Sequence, residues 1–365
     1  MRIAQVSPLF ESVPPRQYGG TERIVSCLTE ELVRRGHHVT LFASGDSKTS
    51  SHLIPVCKAH LRHTEPRDAM CQHIYMIERV ARRAFDYDII HWHLNYLHFP
   101  VSRRLPTPHL TTMHGRLDLP ELLPLFDEYG DMPVVSVSHA QRAALPHAWW
   151  FGNVPHGLPK HALPFSERGG GDYLAFLGRI SPEKRPDRAI EIARAVDMPI
   201  KIAAKIDAAD RDYFRTIEPL FGDPLVEFVG EIGDDRKAAF LGGAAALLFP
   251  IDGPDPFGLV MLEAMACGTP VVAFRQGAVP EIVDHELTGF VVDDLAMAIE
   301  CTRRVSELDR RTIRQVFEER FSSERMVSDY LALYENLCYT PALTKPARTR
   351  VDGSDTQSTI ELTRA

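Results

Sequence analysis

Short apolar runs recur along the chain and alternate with longer stretches of helical spacing. Arg2–Ser7, His38–Ala43, Ile89–Trp92, His109–Met113 and Val134–Val137 read as buried strands. A loop carrying Gly19-Gly20 follows the first, and Thr21 is placed to cap a helix that runs to about Arg35 and stops at Gly36. Strands separated by helices predict parallel βαβ units covered on both faces. Around 155–171 the composition turns to Pro, Gly, His and Ser, ending in Arg168-Gly169-Gly170-Gly171-Asp172, which reads as a linker.

A second series then begins. Strands are predicted at Tyr173–Leu177, Ile200–Ala204, Val226–Val229, Ala244–Phe249 and Val271–Ala273. Helices are predicted at Pro186–Val196, Asp210–Leu220, Arg236–Leu241 and from Leu259, with two more at about 295–308 and 323–338. The fold class is α/β: two doubly wound, Rossmann-like domains, 1–157 and 158–322, facing each other across a cleft, with the 323–338 helix packing back on the first. The Thr-, Ser-, Pro- and charge-rich tail at 340–365 has little to bury and is expected to be disordered.

Composition narrows the function classes. The 365 residues leave room for two cores, and 44% apolar with 25% charged residues is ordinary for a soluble protein. A net charge of −8 argues against a nucleic-acid binder, and Arg82-Arg83 and Arg103-Arg104 read as solvated surface. The six cysteines, at 27, 57, 71, 267, 301 and 338, lack paired spacing, as reduced thiols do. No apolar run is long enough for a membrane span, and Met1-Arg2-Ile3 leads straight into a strand without a signal peptide's h-region. The expectation is a cytoplasmic protein, with peripheral membrane contact left open.

Candidate chemistry concentrates between 250 and 281. Pro254 and Pro256 stiffen an approach to Gly258, whose missing Cβ lets a ligand near, and Leu259–Ala266 are strong helix formers ended by Gly268 and Pro270. Free N–H groups at such a helix start seat a phosphate. Asp255 in the loop and Glu263 in the helix, eight positions apart, can flank one polyol-and-phosphate ligand. Gly178-Arg179 through Lys184 follows a strand, so two cations can converge on a diphosphate, Arg179 as a planar fork and Lys184 as a point charge. A dinucleotide fingerprint is missing: Gly19-Gly20 lacks the full spacing, and Gly169–Gly171 precedes a strand. There is no Walker motif.

His114-Gly115 sits just past a strand, where α/β proteins place functional loops, and can donate to a phosphate or a sugar hydroxyl. His91 and His93 share one strand face. They could start a metal site, but no third ligand has telling spacing, so a polar pocket wall is favoured. The histidines between 52 and 63 read as surface.

Together the strings Gly19-Gly20-Thr21-Glu22, Thr112-Met113-His114-Gly115, Gly178-Arg179 through Lys184, Asp255 through Leu259 and Glu263 through Val272 resemble the family 4 glycosyltransferases of the GT-B fold, over roughly 1–338. The resemblance implies that Arg179 and Lys184 hold the diphosphate of a nucleotide sugar and Glu263 its ribose hydroxyls. Gly258, Leu259 and Val260 would present backbone amides, and His114 would touch the transferring sugar or its phosphate. Gly19 and Gly20 would border the acceptor and phosphates, and Glu231 lies where the base is read by backbone groups. Asp255 departs from the family's paired glutamates by one methylene, so its contact with sugar hydroxyls needs the loop to move inward. The implied activity is retaining transfer of a sugar, glucose preferred, from a UDP-sugar donor to a hydroxyl acceptor of unspecified type. No cofactor, metal, nucleic acid or integral membrane segment is called for. A GT-B nucleotide-sugar epimerase and a non-catalytic nucleotide-sugar-binding protein stay open as alternatives.

Overall fold

Two all-parallel sheets, joined by helical crossovers, account for every long strand run. In the computed structural model, which describes residues 1–17, 19–64, 66–167 and 171–339, the first sheet comprises β1 (Arg2–Val6), β2 (His38–Ala43), β3 (His52–Pro55), β4 (Ile89–Trp92), β5 (His109–Thr112), β6 (Val134–Ser136) and β7 (Trp150–Asn153). Their order is β3-β2-β1-β4-β5-β6-β7. The second comprises β8 (Leu174–Arg179), β9 (Ile200–Lys205), β10 (Val226–Phe228), β11 (Ala246–Phe249), β12 (Val271–Phe274) and β13 (Gly289–Val292), in the order β10-β9-β8-β11-β12-β13. The strand order reverses between β1 and β4 and again between β8 and β11. Ligands of open α/β sheets bind beyond the carboxyl ends of strands at such switch points.

Burial follows from strand alternation. Ala246 and Leu248 of β11 enter the layer containing Ile190 and Ile202, whereas Leu247 and Phe249 enter the layer containing Met261 and Met265. That second layer does not stop at the sheet. It is continuous with Ile3, Ile24, Leu28 and Leu110 of the first unit, through Leu158, Phe317 and Met326, Tyr330 and Tyr334 of the helix Ser323–Tyr339.

The chain passes between the two sheets twice, and both passes meet at one point. Leu158 N–H donates to Phe321 O at 2.9 Å, and Ser323 N–H donates to Leu158 O at 2.9 Å, a parallel bridge of backbone groups. Gly157 has no room for a side chain: a Cβ there would lie 2.3 Å from Ser322 O. Arg325 closes the junction by donating to the carbonyls of Pro155 (2.6 Å) and His156 (3.1 Å). A second tie comes from Glu281, whose carboxylate accepts the N–H groups of His139 and Ala140, both at 2.7 Å, across the units.

Several elements lie outside the sequence expectations, each for a local reason. β3 is absent from the expected strands because its edge position needs only one buried residue, Ile54, and tolerates Pro55. β7 and β13 are also beyond the expected strands, and the helix Arg310–Arg320 buries only Ile313 and Phe317 among its charges. Asp210–Leu220 is not one helix but Arg211–Ile217 flanked by tighter turns. Thr21 does not cap the first helix, which spans Gly20–Arg34 with Gly19 at the capping position and no side-chain cap. A Cβ at Gly19 would lie 2.7 Å from Pro15 Cβ, so close backbone packing decides that position. The tail at 340–365 and Arg168–Gly170 of the linker lie outside the described residues. No helix among the described residues is long and apolar enough to cross a membrane.

The junction gives a direct test. Gly157→Ala should lower stability by about 1–3 kcal/mol, because the added methyl meets backbone that cannot yield without parting the bridge. Denaturant unfolding of the variant against the wild type measures it.

Candidate active site

A cavity of about 530 Å³ opens between the carboxyl ends of the two sheets. From the second sheet it is lined by Gly178 and Arg179 at the end of β8, Lys184, Lys205 at the end of β9, Glu231, Asp255 and Gly258–Val260 with Glu263. From the first it is lined by Gly19, Gly20, His93 and His114, and from the linker by His156. Twelve of the sequence-selected residues thus converge here; His91 does not.

The helix Leu259–Ala266 points its start at the cavity because of Gly258, which is left-handed at φ 78° and whose Cβ would lie 2.8 Å from Met261 Cε and 3.0 Å from the Phe249 ring. Only glycine meets both demands. At the other end Gly268, at φ 77°, closes the helix through its N–H to Met265 O (2.9 Å), with Thr269 N–H on Ala264 O (2.9 Å).

Each cation of the cavity is set by acids. Arg179 pairs with Glu183 and lies 3.2 Å from Asp210 and 3.8 Å from Asp207. Lys184 pairs with Asp255 Oδ2, while Asp255 Oδ1 accepts the N–H of Phe257 at 3.1 Å. The loop holding Asp255 is itself fixed, since Ala278 N–H donates to Asp255 O and a Cβ on Gly277 would lie 2.3 Å from that oxygen. Asp255 therefore orients Lys184 and its own loop.

Glu263 is buried, and its charge is met by Lys237 Nζ at 2.6 Å and by Arg23 Nε at 3.9 Å, both on Oε1. Arg23 belongs to the first helix and also holds Asp234 of the second unit at 2.5 Å, so this ion cluster spans the cleft. Sequence reasoning missed Lys237, for which spacing offers no signal. It quoted Glu22 but not its neighbour Arg23.

The histidines form a stack. His91 and His93 do share a face, with ring centroids 4.0 Å apart, but His91 is sealed beneath by Tyr330 and Tyr334 and bonds Tyr334 Oη and Thr112 Oγ1, each at 2.7 Å. It is a core residue, contrary to the pocket-wall expectation, because the Ser323–Tyr339 helix covers it. His93 reaches His114 (Nδ1 to Nε2, 2.8 Å), and His114 stacks on His156 at 5.2 Å. His156 was passed over as linker. Burial holds His91, His93 and His156 well below the usual imidazole range and pushes His114 down to about 3. Among the described residues no cluster of three or more histidine, cysteine or acidic side chains could hold a metal ion.

Known families match this arrangement in two adjoining blocks. Residues 18–164 match the family described as Glycosyltransferase Family 4, and residues 164–308 match Glycosyl transferases group 1. The chain belongs to the family 4 glycosyltransferases. Among curated relatives, it is 30% identical over 186 residues to an N-acetyl-alpha-D-glucosaminyl L-malate synthase of Bacillus anthracis, covering 46% of this chain and 47% of that one. It is 32% identical over 211 residues to a D-inositol 3-phosphate glycosyltransferase of Salinispora tropica, covering 48% and 40%. The chain thus spans less than half the length of either. The GT-B fold is shared with AviGT4, a glycosyltransferase involved in avilamycin A biosynthesis (TM-score 0.74, 24% identity, 93% of this chain and 98% of that one). It is shared too with HepE of Anabaena, solved with UDP and glucose (TM-score 0.71, 17% identity, 92% and 100%).

The first-sheet wall of the cavity carries two acids that no motif announced as a pair. Glu22 Oε1 accepts the N–H of Glu11 at 3.3 Å, and Glu11 Oε1 holds Arg62 at 2.7 Å. Burial, with the Glu11 charge adding to it, raises Glu22 to about 7.

Acid lability follows. His91, His93, His98, His114 and His156 are all held below the unfolded imidazole value of about 6.5. The unfolded chain therefore binds more protons below that pH, and stability falls on acidification. Glu22 works in the opposite sense between about 7 and its ordinary 4.5, and Glu11, also raised, does so over a narrower range. His37 and His73 are lowered as well, and these seven imidazoles outweigh the two carboxyls. Stability measured from pH 7 to 5 should drop, with a net uptake of protons on unfolding.

Proposed function

We propose that the protein is a retaining glycosyltransferase that moves a sugar, glucose by preference, from a UDP-sugar to a hydroxyl acceptor. The observation that carries this reading is convergence: Arg179, Lys184, Glu263 and the amide end of the 259–266 helix open onto one cavity, with His114 facing them from the other sheet. In this reading the diphosphate lies against Arg179, Lys184 and the amides of Leu259 and Val260. Glu263 meets the ribose, its Oε1 held by Lys237 and Arg23 and its Oε2 turned to the hydroxyls. The backbone around Glu231 reads the base. The HepE complex with UDP and glucose supports that choice of donor.

Attack on the front face is favoured, because both oxygens of Asp255 are engaged, one by Lys184 and the other by the Phe257 amide, which weakens the carboxylate as a nucleophile. The acceptor oxygen bonds C1 as the bond from C1 to the diphosphate oxygen breaks. The electron pair stays on the diphosphate, which also takes the acceptor's proton. Arg179 and Lys184 stabilise the charge that develops there, so the reading calls for no metal ion. Acceptors enter past Gly19 and Gly20. The two curated relatives are named for malate and inositol 3-phosphate, which supports a small anionic acceptor, and Arg62 and Lys205 line that mouth.

Two measurements test it. UDP-glucose should raise the melting temperature more than GDP- or ADP-sugars do, by mass action on the folded state. Arg179→Ala and Lys184→Ala should each lower kcat for UDP-glucose turnover by about 10²–10³-fold, the loss typical for one stabilising group at a developing anion. Near-normal rates in folded variants would end this mechanism.

A further inference from the structure

A line of buried hydrogen bonds runs from the Ser323–Tyr339 helix to the cavity. Tyr334 Oη bonds Gln5 Nε2 at 3.1 Å, Gln5 Oε1 faces His93 Nε2 at 2.8 Å, and His93 Nδ1 faces His114 Nε2 at 2.8 Å. On its other side Tyr334 Oη meets His91 Nδ1 at 2.7 Å, and His91 Nε2 meets Thr112 Oγ1 at 2.7 Å. Gln5 and His91 are wholly buried, and His93 nearly so.

The protons in this line are not independent. A neutral imidazole has one N–H and one bare nitrogen, and an amide oxygen can only accept. Gln5 Oε1 therefore requires a proton on His93 Nε2, which leaves His93 Nδ1 bare. A bare nitrogen accepts, so His114 Nε2 carries the proton and His114 Nδ1 is bare. That nitrogen is buried and has no hydrogen-bond partner among the described residues, in a side chain that lines the cavity. Turning the Gln5 amide over would reverse every bond in the line: His93 would carry its proton on Nδ1, and His114 would present a donor. Gln5, 109 positions from His114 in the chain, thus sets the sense of a hydrogen bond at the cavity wall.

We propose that Gln5 and His93 are positioning residues that lock His114 in its Nε2-protonated form, so that His114 Nδ1 accepts a hydroxyl proton of the transferring sugar. The proposal rests on the donor reading above for the identity of that hydroxyl. The lock itself does not depend on it. The consequence is selectivity: a donor presenting O–H at this point is held, and one lacking it leaves a buried nitrogen unsatisfied.

The experiment is ¹⁵N NMR of the histidine side chains in the full chain at pH 7.5, with resonances assigned through His114→Gln. The expected result is a bare Nδ1 and a protonated Nε2 on His114. A protonated Nδ1 on His114 in the wild type would overturn the proposal. Gln5→Leu keeps the volume but removes the acceptor, and should mix or invert the His114 tautomer. It should lower kcat for UDP-glucose turnover by about tenfold, the worth of one buried hydrogen bond, while UDP affinity stays unchanged. Gln5→Glu, which can still accept from His93, should retain the wild-type tautomer. An unaltered His114 tautomer in Gln5→Leu would remove Gln5 from the role. Because the tautomer is read without turnover, a protein with the expected tautomer that ignores UDP-glucose would discard the donor reading and leave the lock standing.

Discussion

Two stretches of backbone lying against each other at Gly157-Leu158 and Phe321–Ser323 hold this molecule together as one object. The contact is close enough to forbid a Cβ at Gly157, and it ties the outgoing and returning chain at a single point. Consequences spread from it in both directions. The residue just before, His156, is fixed in the cavity wall against His114 and Phe257. The helix just after carries Tyr330 and Tyr334 under the first sheet, where they cover His91. A cleft between two sheets needs such a pivot, because each sheet alone offers only half of the lining.

Within the cleft the two walls use opposite electrostatic strategies. The second-sheet wall is ionic: Arg179, Lys184, Lys237 and Glu263 are each matched by an opposite charge, which offsets part of the cost of burying them. The first-sheet wall carries one ion pair, Glu11 with Arg62, beside a row of uncharged rings. Its stacked imidazoles stay uncharged because burial and one another's proximity disfavour protonation. This division suits a ligand with a phosphate end and a sugar end.

Much of the site was legible because its chemistry is local. Gly258 followed by eight helix-forming residues, and Gly178-Arg179 five residues before Lys184, place amides and cations at strand ends whatever the rest of the chain does. The residues that sequence reasoning missed act through contacts between distant segments. Lys237 finds Glu263 across 26 positions and Arg23 finds Asp234 across 211. His91 was misjudged for the same reason, since the helix that covers it lies some 240 residues downstream.

The sequence by itself determined the α/β alternation, the short Leu259–Ala266 helix with its glycine entry and exit, and the family. These depend on periodicity, backbone freedom and short spacings, which one chain segment can specify alone. The tertiary structure decided which histidine faces the cavity and which is core, which cations neutralise Glu263, and that Asp255 is spent on Lys184 and its own loop. Those outcomes turn on burial and on partners brought from the other sheet, and burial is a property of the assembled fold, written in no single stretch of residues.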